Sequence, residues 1–549
     1  MHSESYDQVN LPTNDGYPCD FVVFSDLDFP GVKAHSCLEP SPNCIAHRTA
    51  ALDRSPRDRQ FRRNQHPIRV TSIFLWIAAL SRLETDYLVV GAGALGMAFV
   101  DSLIEHSDAD VVMVDRRHGA GGHWLDAYPF VQLHQPSRYY GVHSTRLGQD
   151  RLEPEGIDTD FYERASGAEI CGYFDDLMRH RFLTSGRVHF FPMCDYLGDG
   201  RIRSRVTDCV IDVAVRDRVV DATYMASRVP ATDPPPFDVA PGVRCIPVGG
   251  LATVEHPAEG YVIVGGGKTA LDAIVWLLDR RVDPGGITWI RPRDSWVLNR
   301  AFFQPGRSRT FEGVVLQLEA MVASQTVEEV YERLEADGVV VRTDQSVVPT
   351  MMKGATVSLR ELEQLRRIEH VVRLGHVERI DVDEIILEQG SVPTSPDHLH
   401  VHCAASGLSD NPPRAIFTDD TITLQLVTRV SATLSGALQG FLEATGRTTE
   451  EKNQLCPPAV MPHTPFDYLR VVMAGIRTEI GWQAAPDLQE WLDHSRLNLM
   501  SGLGEHDDPA TVLELQGRFF AVLFPALEQL HALATNATPS ERARMFEPA

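Results

Sequence analysis

The pattern of apolar positions becomes regular after residue 83. A short apolar run at residues 87–90 is followed by glycines, a helix-like stretch at 97–104 and a second apolar run at 111–114. Short runs joined through a helix predict a β-α-β unit. A second unit of the same kind is predicted further along the chain, with its strands and helix at residues 261–264, 270–278 and 287–290.

Other elements are predicted between and after these two units. They are a helix at 168–183, a strand at 188–191, a β-meander with strands at 202–206, 210–215 and 218–222, a proline-rich connector at 232–236, and a mostly helical region at 466–533 in which Asp508 and Pro509 begin a helix. The predicted fold class is α/β, with two Rossmann-like dinucleotide-binding domains, a β-meander and a helical C-terminal region.

The predicted domain boundaries follow from this order. We expect an N-terminal extension at 1–83, a first part of one dinucleotide-binding domain at 84–258, a second such domain at 259–395, and a return to the first domain with the helical region at 396–549.

The extension differs from the rest in composition. Seven arginines lie between Arg48 and Arg69, opposed only by Asp53 and Asp58, and an apolar run follows at residues 70–80. The pattern starts too far from Met1 for a signal peptide, which favours a poorly ordered extension. A transit peptide and a contact with a membrane surface are the alternatives.

Charge and cysteine content limit the kinds of binding partner and the cellular compartment that we expect for this protein. Lys and Arg number 51 against 75 Asp and Glu, a net charge of −24, which argues against general affinity for nucleic acid. The run at 70–80 is too short to span a bilayer, so no membrane span is expected. Nine scattered cysteines without a C-x-x-C favour a reducing, cytoplasmic location. No histidine spacing predicts a metal site.

The first glycine loop lies directly after the first predicted strand. Gly91, Gly93 and Gly96 form G-x-G-x-x-G, a pattern that allows a tight turn, close approach of a pyrophosphate and tight helix packing. The next strand ends in Asp115, whose carboxylate can accept hydrogen bonds from a ribose. The loop therefore predicts a dinucleotide site, with a purely structural glycine turn as the alternative.

The second glycine loop differs from the first at the end of its partner strand. The loop consists of Gly265, Gly266, Gly267, Lys268, Thr269 and Ala270, a G-x-G-x-x-A. The partner strand ends in Arg291 and Arg293 rather than in an acid, and a guanidinium can pair with a 2′-phosphate. This favours NADPH over NADH, unless the arginines lie on a solvated edge. A Walker A frame is absent because its first glycine would fall on Val262.

Together these residues resemble the two-dinucleotide-domain flavoproteins, especially the flavin-containing monooxygenase-like group. The resemblance rests on residues 91–96, on the strand end with Asp115 and Arg116, on the G-G-x-W formed by Gly121, Gly122, His123 and Trp124, and on the loop at 265–270 with Arg291. It covers residues 84–300 and implies FAD at the first loop and NADPH at the second. The order of the family also implies that residues 133–140, including His134 and Gln135, run near the flavin ring.

Two family motifs differ in this chain. The F-x-G-x-x-x-H fingerprint is not found before the second loop, and the A-T-G of the meander is replaced by Ala222, Thr223 and Tyr224.

The expected function is an FAD-dependent, NADPH-reduced oxidoreductase, a monooxygenase that uses oxygen on small organic substrates, with His134 and Gln135 as candidate catalytic residues. A reductase or oxidase without oxygen insertion and a redox-inactive flavin-binding interaction protein are the alternatives. Residues 133–140 are also compatible with an ordinary polar loop. The oligomeric state is not predicted.

Overall fold

The structure is a computed structural model that describes residues 82–536 except 307, 406, 408, 410, 428–430, 504 and 506. The predicted N-terminal extension lies outside the described residues, apart from its last two positions, which belong to the first strand.

Nineteen strands are described. They are β1 (Arg82–Val90), β2 (Val111–Asp115), β3 (Val188–Pro192), β4 (Cys194–Gly198), β5 (Arg201–Ser204), β6 (Val210–Asp221), β7 (Asp238–Val239), β8 (Cys245–Pro247), β9 (Gly260–Val264), β10 (Ile287–Ile290), β11 (Ser295–Asn299), β12 (Val340–Val341), β13 (Met351–Val357), β14 (His370–Val372), β15 (Val377–Ile380), β16 (Glu384–Leu387), β17 (Gly390–Pro393), β18 (His398–His402) and β19 (Thr421–Thr423).

Eleven α-helices are described between and after the strands. They are α1 (Ala94–His106), α2 (Gly167–Leu177), α3 (Lys268–Asp279), α4 (Ser308–Val322), α5 (Val327–Ala336), α6 (Leu359–Leu365), α7 (Ala432–Ala444), α8 (Thr449–Leu455), α9 (Pro465–Trp482), α10 (Pro486–His494) and α11 (Pro509–Asn536).

The first sheet contains the first predicted β-α-β unit. Its order is β3-β2-β1-β6-β5-β4, and β19 pairs in parallel with the carboxyl-terminal half of β6. Strands β3, β2, β1 and β6 are parallel, whereas β4 and β5 form the antiparallel meander. Residues 97–104 of α1 are buried on all sides because α1 belongs to the core that also contains α7. This burial explains why the α1 sequence is apolar all round.

Strand β6 replaces two predicted strands. The sequence suggested separate strands at 210–215 and 218–222, but the chain runs through Arg216 and Asp217 without a break. These two residues oppose the single residue Asp86 of β1, where the register shifts as in a β-bulge. Arg216 binds the Asp86 carboxylate at 2.7 Å, so the polar pair is satisfied at the surface instead of ending the strand.

The second sheet contains the second predicted unit. Its order is β14-β10-β9-β18-β8, and all neighbours are parallel. Helix α3 connects β9 to β10 and packs with α6 on this sheet. Strand β18 still pairs in the second sheet, and the chain rejoins the first sheet at β19. The domain boundaries given above remain predictions.

Two small sheets and a helical layer complete the fold. The small sheets have the orders β12-β11-β13 and β17-β16-β15-β7. Helices α4, α5, α9 and α11 share one hydrophobic core with the first of them. The observed architecture therefore confirms the predicted fold class, including the helical C-terminal region and the start of its last helix at Pro509.

Within the described residues, one helix is long and apolar enough to cross a membrane by length and composition. It is α11, with a mean hydropathy of 1.3 over its most apolar window. Part of its surface packs in the core that it shares with α4, through Leu523, Ala526 and Leu533.

Candidate dinucleotide-binding site

The first glycine loop lies at the carboxyl edge of the first sheet and faces a second pair of glycines. The Gly121 amide donates a hydrogen bond to the Ala92 carbonyl at 2.8 Å. Gly122 has a φ of +60°, and a Cβ added there would lie 2.8 Å from the Cα of Gly93. Only glycine fits at this contact, so two backbone segments approach each other closely where a pyrophosphate would bind.

His123 and Trp124 extend this second glycine pair. Their rings lie 5.0 Å apart, and the Trp124 indole donates a hydrogen bond to the Tyr140 hydroxyl at 2.7 Å. His123 is partly exposed, and desolvation together with Arg117 lowers its pKa to about 4. The His123 imidazole is therefore neutral near pH 7.

Asp115 lies at the end of β2, as predicted, and its carboxylate also holds the loop. One oxygen accepts from the Ala92 amide at 2.7 Å and the other from the Arg117 amide at 2.8 Å. Each carboxylate oxygen has a further lone pair, so Asp115 can still accept a bond from a ribose hydroxyl. The neighbouring Arg116 is exposed.

Both glycine loops leave a helix N-terminus without a side-chain cap. Gly93 caps α1 and Gly267 caps α3, and neither supplies a side-chain hydrogen bond. Six other helices have a Ser or Thr cap that accepts from a first-turn amide, namely α2, α5, α6, α7, α8 and α9. The first-turn amides of α1 and α3 are thus left for an anionic ligand, which the helix dipole also favours.

The second glycine loop lies at the carboxyl edge of the second sheet. A Cβ added to Gly265 would lie 2.9 Å from the Cys403 carbonyl, which follows β18. Gly266 is adjacent to the chain after β10, because its added Cβ would lie 3.4 Å from the Cβ of Arg291. The loop therefore sits between β10 and β18, where a parallel sheet forms its ligand crevice.

Lys268, a predicted cofactor-binding residue, is buried in an ion-pair network. Its ammonium contacts the Asp272 carboxylate and lies 2.8 Å from Glu361. Glu361 in turn lies 2.8 Å from Arg300, which is fully buried. The Lys268 charge is therefore paired inside the protein, at the start of α3.

The network continues into the first half of the chain. Arg300 also contacts Asp158, and Asp158 lies 3.0 Å from the Nε of Arg164. The Tyr128 hydroxyl donates to Asp272 at 2.6 Å, and Thr269 also hydrogen-bonds Tyr128. Buried charges that are paired in this way hold segments 128–134 and 157–164 against the second sheet.

The two predicted arginines occupy different environments. Arg291 is buried over the Trp289 ring, and its guanidinium lies 2.9 Å from Asp294. Burial lowers the pKa of Arg291 to about 10, an effect that Asp294 partly opposes. Arg293 is exposed at the same edge. Arg373, which follows β14, is only partly exposed and binds Asp294 at 2.7 Å.

His134 lies at the junction of the two halves. Its carbonyl accepts from the Nε of Arg300 at 3.2 Å and also from the Thr356 hydroxyl. The side chain is accessible to solvent, yet desolvation and the nearby Lys268 lower its pKa to about 4. Gln135 is turned toward its own segment, because its amide donates to the Tyr139 carbonyl at 3.1 Å.

A cavity of about 610 Å³ lies beside the first loop. It is lined by residues of β1, β4 and β6, among them Val90, Tyr196 and Val213. Asp199, Asp217, Asp221 and Asp420 also line it, and four carboxylates disfavour a phosphate there. Among the described residues, those of this cavity included, no cluster of His, Cys, Asp and Glu is arranged to hold a metal ion.

The structure groups the predicted residues around two loops. Gly91, Gly93, Gly96, Asp115, Gly122, His123 and Trp124 surround the first loop, whereas Arg291 and Arg293 adjoin the second. Seven further polar or charged residues at these loops were not predicted from the sequence, namely Tyr128, Asp158, Arg164, Asp272, Arg300, Glu361 and Arg373. No local motif marks these residues, because their contacts join segments that are far apart in the sequence.

The chain has close relatives in mycobacteria. It is 45% identical over 429 residues to the uncharacterized protein Rv2000 of Mycobacterium tuberculosis and to the uncharacterized protein Mb2023 of Mycobacterium bovis, an alignment that spans 77% of this chain and 79% of each relative. No family model matches the chain.

Several solved structures are similar over most of the chain at low identity. A polycyclic ketone monooxygenase from Thermothelomyces thermophila shares 12% identity with a TM-score of 0.43, covering 81% of this chain and 89% of that one. A steroid monooxygenase bound to NADP shares 13% identity with a TM-score of 0.43, covering 80% and 98%. A bacillithiol disulfide reductase from Staphylococcus aureus shares 9% identity with a TM-score of 0.40, covering 66% and 97%.

Proposed function

The chain belongs to the same family as the mycobacterial protein Rv2000, and we propose that it is an FAD-dependent oxidoreductase that is reduced by NADPH. The observation that carries the proposal is the pairing of two glycine loops, each at the carboxyl edge of its own parallel sheet and each opening an uncapped helix. One such loop binds one dinucleotide, so two loops indicate two dinucleotides.

The first loop is the proposed FAD site. Gly91, Gly93 and Gly96 would contact the pyrophosphate, and Asp115 would accept from the ribose while it holds the Ala92 amide. Arg116, Gly122, His123 and Trp124 would complete the site. The contact between Gly93 and Gly122 supports this assignment, because any Cβ on Gly122 would close the space against the loop.

The second loop is the proposed NADPH site. Gly265, Gly266, Gly267 and Thr269 would surround the pyrophosphate, and the exposed Arg293 would meet the 2′-phosphate. Arg373 stands at the same edge, where Asp294 and Asp344 hold its guanidinium. Lys268 and Arg291 are both buried in ion pairs, so they would support the site by fixing the segments around it.

A bound flavin can accept hydride from a nicotinamide, and its reduced form can react with oxygen. The residues of this chain bind and orient the two dinucleotides and limit access of water to the crevice. The neutral imidazole of His134 can donate one hydrogen bond and accept another. We propose that the enzyme is a monooxygenase that acts on small organic substrates with oxygen as co-substrate. We also propose that it works in the cytoplasm.

A second candidate is a reductase or oxidase that does not insert oxygen. It is favoured by the missing F-x-G-x-x-x-H fingerprint before the second loop. A redox-inactive flavin-binding protein is disfavoured because both loops keep their glycines.

An absorbance experiment tests the proposal. Purified protein should show flavin absorbance that bleaches with NADPH under anaerobic conditions and returns with air. A protein without bound flavin, or one whose flavin NADPH does not reduce, would contradict the proposal. If NADPH is consumed but all the oxygen appears as hydrogen peroxide across a broad substrate panel, the reductase or oxidase function replaces the monooxygenase.

A further inference from the structure

Helix α11 carries a stripe of large apolar side chains on its solvent side. We define the α11 stripe as Leu513, Phe520, Phe524 and Leu527, which are 70%, 69%, 72% and 52% exposed. Their spacing of seven, four and three residues places all four on one face of the helix. An exposed apolar row of this length is unusual on a monomeric protein and marks an interaction surface.

The opposite face of α11 anchors the helix to the protein. Leu523, Ala526 and Leu533 are buried in the core shared with α4, and Leu515 is also buried on this face. Arg518 lies 2.7 Å from Glu319, and the Gln529 amide donates to the Ser324 carbonyl at 2.6 Å. The stripe is therefore held outward by a fixed helix.

We propose that the α11 stripe is the contact surface of a homodimer, in which it packs antiparallel against the same stripe of a second copy of this chain. Leu513 and Leu527 each lie seven residues from Phe520. A two-fold axis at Phe520 thus brings each leucine opposite the other leucine of the second copy and each Phe520 opposite its equivalent, while Phe524 meets Gln516 at the edge of the contact. This self-complementarity is what an isologous interface requires.

The size and rim of the stripe fit such an interface. At about 200 Å² per side chain, the four exposed fractions correspond to an apolar surface on the order of 500 Å² per chain. Two copies would together bury about 1,000 Å², which reaches the lower limit for a specific interface. The exposed polar residues Gln516 and Glu528 flank the apolar row on its two sides, as a polar rim does.

Charge disfavours an anionic membrane surface as the occupant of the stripe. Anionic lipid attracts basic segments, but the chain has a net charge of −24, and Glu514 and Glu528 lie near the stripe. Two copies also repel each other at long range, so added salt should strengthen the dimer by screening this repulsion.

The test is the molar mass of the purified full chain at micromolar concentration, measured by light scattering during size-exclusion chromatography. The wild-type protein should have twice the chain mass of 61.0 kDa. The double variant Phe520→Glu, Phe524→Glu should have the single chain mass, with an unchanged circular dichroism spectrum because both positions are on the surface. The matched control Val206→Glu, Val210→Glu alters exposed apolar residues elsewhere and should remain dimeric.

A monomeric wild-type protein would overturn the proposal, and so would a double variant that stays dimeric. Flotation with vesicles of phosphatidylcholine and phosphatidylglycerol tests whether the stripe binds a lipid surface instead of a second copy. Binding of the wild-type protein to these vesicles, lost in the double variant, would identify a lipid surface and also overturn the proposal.

Discussion

At Gly93 the backbone itself forms the proposed binding surface. Its φ of −80° is accessible to any residue, and an added Cβ would lie no closer than 3.6 Å to Gly122. We therefore expect Gly93→Val to fold but to lose FAD, since the branched side chain occupies the position of the pyrophosphate. Flavin content per folded chain measures this. The matched control is Gly119→Val, at a glycine whose added Cβ meets nothing within 4 Å, and it should keep its flavin. Full flavin content in Gly93→Val would refute the assignment of the loop.

Arg291 and Arg293 are expected to have different roles, Arg291 in the stability of the fold and Arg293 in the preference for NADPH over NADH. Arg293 is exposed and available to a 2′-phosphate, so Arg293→Ala should cost about 1.5 to 3 kcal/mol of NADPH binding, roughly ten-fold or more in affinity, with little effect on NADH. Arg291→Ala should mainly lower stability, because it removes a buried partner of Asp294. The ratio of kcat/KM for NADPH and NADH measures the first effect, and thermal unfolding measures the second. An unchanged ratio in the Arg291→Ala, Arg293→Ala double variant would show that the preference has another source.

His134 predicts a pH dependence of stability. Its folded pKa of about 4 lies below the ordinary value of 6.5, so between these values the unfolded chain binds a proton that the folded chain does not. Stability should therefore fall as the pH falls from 6.5 toward 4. Urea unfolding of nucleotide-free protein should show this fall, and His134→Asn should reduce it. The control is His180→Asn, which removes an exposed histidine elsewhere on the surface. Equal pH dependence in His134→Asn and wild-type protein would contradict the low pKa.

At the scale of elements, α6 is tied to α3 by Glu361. Burial alone would raise the pKa of Glu361, but Lys268 and Arg300 outweigh burial and hold the pKa well below its usual value. The carboxylate is thus charged and pairs with two cations from different segments.

Removing this charge should destabilise the fold. Glu361→Gln leaves two buried cations incompletely paired, and we expect a loss of about 3 kcal/mol or more in the free energy of unfolding. Glu363→Gln makes the same change two residues away on an exposed face of α6 and should stay within about 0.5 kcal/mol of wild type. Chemical denaturation measures both. Similar values for the two variants would mean that the network contributes little to stability.

At the scale of the whole molecule, the described fold begins at Arg82. Strand β1 starts there and pairs with β2 and β6, so removal of residues 1–80 leaves every described strand pair intact. We expect the shortened chain to fold and to retain its flavin. Solubility, flavin absorbance and thermal unfolding check this. Insoluble or flavin-free protein would show that residues 1–80 support the core.

The sequence by itself was sufficient for both glycine loops and for the strands and helices around them. Gly91, Gly93, Gly96 and Gly265 follow apolar runs directly, and the steric demand for glycine in such a turn is local. Asp115 was also correctly placed at the end of β2. The fold class followed from the order of these local patterns.

Only the tertiary structure decided which charges are free and which are paired. Lys268 and Arg291 resemble ligand-binding residues in the sequence, but Asp272, Glu361 and Asp294 neutralise them inside the protein. Whether a charged side chain meets solvent, a ligand or another charge depends on burial and on segments far away in the chain. The exposed face of α11 is a similar case, because its apolar sequence does not indicate which residues the core covers. Local sterics are encoded in neighbouring residues, whereas burial and charge pairing arise only when distant segments meet.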